Sequence, residues 1–293
     1  MNRALMVAAV AIAAVVAQAA TANDAPFPAA RTGGVFVAAQ TVTADGALSN
    51  YFAPGSTVIF RAYAVDRKTH KVLAAKSVRS FYVRIPGQPN VKLKDSAKAR
   101  GATKTYRWTG KWVVPSGYAN GIVNFRVLIK TKAKRQGTFR QIPVASSQLT
   151  ITPTPQLPPA PGPTATGSGA TKLDVALYAD TVNGGGLRPI GCTQTNVFKR
   201  GEEVVVRVWG FDLGSGKVLT IDNVENGYFS APGVSKITLN WGAHGAAGGT
   251  VWFWTAAWTI PSSYPLGDVN LTIQFKTING KVGKLLYPIT VIP

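Results

Sequence analysis

Val58-Ile59-Phe60-Arg61-Ala62-Tyr63-Ala64-Val65 and Val204-Val205-Val206-Arg207-Val208-Trp209-Gly210-Phe211 are two readings of one pattern. Both are dominated by β-branched and aromatic residues and alternate with a period near two, which is the signature of a strand. They belong to a longer repeat. From Phe52 to Gly137 the chain recurs at a constant offset of 146 without a gap: Phe52 with Phe198, Gly55 with Gly201, Asp66 with Asp212, Tyr82 with Tyr228, Pro86 with Pro232, Trp108 with Trp254, Trp112 with Trp258, Tyr118 with Tyr264. Two copies of one unit are present, so shared positions read as scaffold and differing positions as places where function was added.

Working outward, the apolar pattern sets further strands in matching pairs: Val78 to Ile85 with Val224 to Ser230, Thr103 to Val114 with Thr250 to Thr259, Gly121 to Thr131 with Gly267 to Thr277, and Ile142 to Ile151 with Leu285 to Ile292. Gly or Pro punctuates each copy every ten to fifteen residues, and no convincing helix follows the N-terminal segment. This predicts an all-β chain of two tandem antiparallel β-sandwich domains, residues 31–153 and 171–293. Between them, 154–170 carries Pro155, Pro158, Pro159, Pro161 and Pro163 and then Gly167-Ser168-Gly169, a linker extended in its proline half and flexible in its glycine half. Such a linker predicts two modules without a large fixed interface.

Pro115-Ser116-Gly117-Tyr118-Ala119-Asn120-Gly121 and Pro261-Ser262-Ser263-Tyr264-Pro265-Leu266-Gly267 each lead into an alternating strand. This resembles the strand E to F corner of bacterial immunoglobulin-like and fibronectin type III-like domains. The resemblance implies that Tyr118 and Tyr264 act as corner tyrosines whose hydroxyls bond back to the chain. It implies no function.

Residues 1–22 read as a secretory signal: Arg3, then the apolar stretch Ala4 to Ala17, then small-residue cleavage sites after Ala19 or Ala22. No later stretch is long enough to span a bilayer, so the expected location is secreted or periplasmic. A single cysteine, Cys192, allows no intrachain disulfide. It lies in a segment absent from the first copy and reads either as an intermolecular disulfide, giving self-association, or as a buried unpaired thiol.

The composition argues against catalysis. The chain has only two histidines, His70 and His244, and they do not correspond, aligning with Gly216 and Lys98. No nucleophile, base and orienter stand at motif spacing. Asp66 and Asp212 are shared, but each sits just before a turn and reads as a turn cap. No metal-ligand set or cofactor motif occurs, so neither a metal nor a cofactor is expected.

Charge separates the copies. Residues 31–153 hold 21 Lys and Arg against 3 acids, a net of +18, whereas 171–293 hold 10 against 8, a net of +2. Of the 21 cations only Arg61, Lys71, Lys130 and Arg135 have a basic counterpart, so the field is not a requirement of the fold. The cations cluster as Lys92, Lys94, Lys98, Arg100, Lys104, Arg107, Lys111 and as Arg126, Lys130, Lys132, Lys134, Arg135, Arg140. They read as a surface for an acidic polymer, a cell-surface component or an acidic protein. Sequence-specific nucleic-acid binding is not expected, because no recognised module is present. In the second copy Trp241 and Trp252 replace Asp95 and Tyr106 beside a glycine-rich loop, and with His244 they read as a partner or ligand contact. The expected function is non-catalytic binding or adhesion. The alternative is an assembly subunit or the accessory subunit of an extracytoplasmic enzyme, since Lys76 and Arg79 face Asp222 and Glu225 at the matching offset.

Overall fold

The computed structural model describes residues 34–96, 107–144, 147–163, 172–184, 191–244 and 251–293; the signal segment lies outside them. The first copy contains β1 (Val35–Val42), β2 (Tyr51–Phe52), β3 (Thr57–Asp66), β4 (Val78–Arg84), β5 (Val91–Lys92), β6 (Lys94–Asp95), β7 (Trp108–Val113), β8 (Gly121–Ile122), β9 (Arg126–Thr131), β10 (Gln136–Arg140) and β11 (Thr150–Ile151). The second contains β12 (Val175–Asn183), β13 (Val197–Lys199), β14 (Glu203–Asp212), β15 (Val224–Ser230), β16 (Ile237–Thr238), β17 (Asn240–His244), β18 (Val251–Thr259), β19 (Gly267–Thr277) and β20 (Val282–Ile292). Among the described residues there is no α-helix, and no helix long and apolar enough to cross a membrane.

Each copy packs a four-stranded sheet against a second layer. The four-stranded sheets have the equivalent orders β1-β3-β7-β6 and β12-β14-β18-β17. The second layer is one five-stranded sheet in the second copy, β13-β20-β19-β15-β16, but is split in the first into β10-β9-β4-β5 and β2-β11-β8. The pairing is antiparallel except for β2 with β11 and β13 with β20. Inside each sandwich the shared tryptophans fill the core. Trp108 and Trp254 are buried and donate Nε1–H to the carbonyls of Leu73 and Leu219 at 3.0 and 2.9 Å. Trp112 and Trp258 meet Tyr118 and Tyr264 edge to face at 5.2 and 5.0 Å.

The two tyrosines do bond back to the chain, but not locally. Tyr118 donates to the carbonyl of Pro86 at 3.4 Å and Tyr264 to that of Pro232 at 2.9 Å, each 32 residues upstream. The bond therefore joins the loop after one sheet to the end of a strand in the other. Asp66 and Asp212 cap their turns as expected, accepting from the amides of Lys68 and Thr69 and of Gly214 and Ser215. Each also holds a cation on the neighbouring hairpin, Arg135 or Lys281.

Three expectations need correction. Among the described residues, the strand expected over Ile142 to Ile151 is present only as Thr150–Ile151, and the partner of β9 is Gln136–Arg140. Its place is taken by an excursion bridged by one side chain: Gln141 donates Nε2–H to Val123 at 2.8 Å and accepts the amide of Leu149 at 2.9 Å, standing in for the missing ladder. Strands β1 and β12 were not anticipated. They are almost wholly buried, and a strand covered on both faces loses the alternation that marks a half-exposed one.

The third correction is the largest. The copies share a hydrophobic cluster in which Phe36, Tyr63 and Phe139 of the first meet Tyr178, Trp209 and Phe211 of the second. Tyr63 donates its hydroxyl to the carbonyl of Leu177, and burial pushes its pKa far up. The contact is nearly two-fold. The Leu48 amide donates to Asn196 Oδ1 at 2.7 Å, and the Gln194 amide donates to Asn50 Oδ1 at 3.2 Å. Leu48 corresponds to Gln194 and Asn50 to Asn196 at the offset of 146, so each copy gives what it receives, as in a symmetric dimer. In the described part of the linker, Gly162 lies against the backbone of Gly46, where an added Cβ would collide with the Gly46 carbonyl oxygen.

Candidate functional site

Three regions concentrate the chemistry, and they differ in how the fold assembles them. The first is the outward face of β10-β9-β4-β5. In an antiparallel ladder directly opposed residues point to the same side. Arg126 on β9 lies between Arg84 on β4 and Arg140 on β10. All three are exposed, while their strand neighbours Val83, Val127 and Phe139 point inward and are buried. Adjacent strands are ~4.8 Å apart, so three guanidinium stems stand abreast over about 10 Å. None has an ion-pair partner among the described residues. Lys130 and Lys92 lie on the same face, opposite Ser80 and Tyr82. The matching row in the second copy is Ser230, Thr272 and Leu286, in the same register and without charge.

The other expected cations separate. Arg107 forks onto Asp95 with bonds of 3.0 and 2.8 Å, and Arg135 is held by Asp66. Lys94 and Lys111 stand on the other sheet, in β6 and β7, and Lys132 and Lys134 lie in the β9–β10 turn. Lys98, Arg100 and Lys104 lie outside the described residues. Arg84 belongs with this face although it stands apart from both clusters along the chain. The signal for it was present: Arg84, Arg126 and Arg140 all lose their charge at the offset of 146.

The second region is aromatic. Trp241 on β17 is half-buried against the second copy's core, stacked on Trp252 at 5.9 Å and tilted on Trp254 at 5.5 Å. Trp252 remains 40% exposed. His244 does not join them. Alternation along β17 turns it to the opposite side of the sheet, where it stacks on Phe253 at 4.1 Å.

There His244 enters the third region, a cavity of about 700 Å³ where the copies meet. Val144 of the first copy lines it together with Val182, Cys192, Arg207, Asn240, His244, Phe253 and Thr255 of the second. A file of rings leads into it from the first copy's core: Phe139 to Tyr178 at 5.6 Å, Tyr178 to Trp209 at 5.4 Å, Trp209 to Phe253 at 5.0 Å. Asp180, Arg207, Thr255 and Asn240 form one cross-strand row over the sheet. Arg207 is buried. It donates Nε–H and Nη2–H to the two oxygens of Asp180 at 2.7 Å and Nη1–H to Ser147 Oγ of the first copy at 2.8 Å. Burial opposes the charge on Arg207, but Asp180 outweighs it and the guanidinium's pKa rises. Burial, with Arg207 nearby, pushes the His244 pKa down, so its ring is neutral at pH 7. Cys192 is exposed at the rim with a free thiol, which removes the buried reading and leaves the intermolecular one open.

No protein-family model matches the chain, and no curated protein matches it. Among solved structures, the chain is similar to a Bacteroides ovatus mixed-linkage glucan utilization locus protein, SGBP-B, in complex with a mixed-linkage heptasaccharide. The match has 9% identity and a TM-score of 0.18 and covers 83% of this chain and 43% of that one. It is also similar to the C-terminal domain of the Streptococcus pyogenes antigen I/II-family protein AspA, with 9% identity and a TM-score of 0.21, covering 89% of this chain and 100% of that one. The chain thus spans less than half the length of the first.

Proposed function

We propose that this chain is a non-catalytic binding protein acting outside the cytoplasm, whose basic first copy docks onto an anionic polymer or surface. The observation that carries the reading is the exposed arginine row across β10-β9-β4, set against the uncharged row Ser230, Thr272 and Leu286 at the matching positions of the second copy. Like charges directly opposed across strands destabilise a sheet, so folding gains nothing from this arrangement and an external anion does. The second copy supports the first through their common cluster and adds the Trp241 and Trp252 stack as a separate contact. Head-to-tail assembly draws less support, because Glu225 is engaged by Lys276 at 2.8 Å.

The test is retention of the full chain on immobilised heparin. Each ionic contact releases counterions, so for about five contacts a fourfold rise in salt weakens binding by two to three orders of magnitude. Binding that ignores salt, or no retention at low salt, overturns the reading.

A further inference from the structure

We propose that Arg84, Arg126 and Arg140 form a guanidinium rack that grips a linear acidic polysaccharide laid across the strands, reading its oxyanions through paired hydrogen bonds as well as through charge. The proposal rests on the function proposed above and makes it specific to three residues and one class of ligand. Simple attraction needs only net charge, and this copy has lysines to spare. The row is instead three arginines, in direct register on three consecutive strands, at positions that all lose their charge in the second copy. Guanidinium presents a planar fork that matches a carboxylate or sulfate two bonds at a time, where an ammonium is a point charge. The stems rise from strands rather than loops, so the spacing of the forks is fixed by the ladder.

The rest of the face favours a sugar polymer. Its next row is Thr138, Leu128, Tyr82 and Lys92, and the row beyond is Gln136, Lys130 and Ser80. Hydroxyls and an amide suit the hydroxyls of a sugar chain. Tyr82, the one aromatic among these residues, is half-buried, whereas single-stranded nucleic acid is held by successive stacked bases. A protein partner would need a desolvated apolar anchor, and the row offers none.

Replacing all three arginines with lysine, Arg84→Lys, Arg126→Lys and Arg140→Lys in the full chain, keeps the charge and removes the forks. The sites are exposed, and circular dichroism checks the fold. Dextran sulfate and polygalacturonate separate sulfate from carboxylate as the preferred oxyanion, and neutral dextran is the blank. The expected result is a loss of about tenfold or more on whichever polymer binds better. Removing three charges elsewhere, Lys76→Gln, Lys94→Gln and Lys111→Gln, should change affinity less than the lysine triple does. Equal affinity of the lysine triple and the wild type overturns the rack while leaving the charge-based function standing. If the wild type binds neither polymer, both fall. Tighter binding of oligo(dT) than of either polysaccharide at equal charge overturns the polysaccharide assignment.

Discussion

Asp180→Asn probes what joins the two copies. Asp180 is fully buried and accepts two N–H groups of Arg207, itself 3% exposed, together with the side-chain Nε2–H of Gln194 at 2.7 Å. Asparagine keeps the shape and removes the charge. The guanidinium is then buried without a counter-ion, next to Ser147 of the other copy. Breaking a buried pair from one side costs about 3 to 5 kcal/mol. For a chain of this size each kcal/mol lowers Tm by ~2 to 4 °C, so the expected fall is roughly 6 to 20 °C. Calorimetry on the full chain measures it, and urea titration gives the free energy independently. Pairing Asp180→Leu with Arg207→Met should recover much of the loss, because the uncompensated charge goes too. The first copy shows how the position behaves without a carboxylate: Gln40 stands opposite Arg61, which is only half-buried and whose pKa burial lowers. A loss below about 1 kcal/mol for Asp180→Asn, or a double variant worse than the single one, would refute the reasoning.

Asn50→Ala and Asn196→Ala each strand one backbone amide in the junction, and each should cost about 1 to 3 kcal/mol; matched losses in urea titration support the two-fold contact, and a loss at one site alone argues against it. Trp254→Ala removes a core ring and should cost roughly 3 to 5 kcal/mol. Trp252→Ala, at the exposed end of the stack, should leave the melt nearly unchanged while weakening partner capture by about 1 kcal/mol or more if the stack is a contact.

The repeat was legible because it needs only residue identity at a fixed offset, and that offset alone locates the shared tryptophans, the corner tyrosines and the capping aspartates. Alternation located β3, β14, β15 and β19, each of which has a stretch with one face toward a core and one toward something polar. It missed β1 and β12, whose residues are buried on both sides because each copy covers the other. Asn50 and Asn196 were readable as a shared polar pair, but their exchange of bonds depends on how the copies meet. Charge asymmetry named the basic copy from composition alone. Which cations act together is a matter of register: Arg84, Arg126 and Arg140 are 42 and 14 residues apart along the chain and side by side in the sheet. Trp241 and His244 show the reverse. They are three apart in sequence and on opposite sides of one strand, because a strand turns successive side chains to opposite faces and only tertiary packing decides what each face meets.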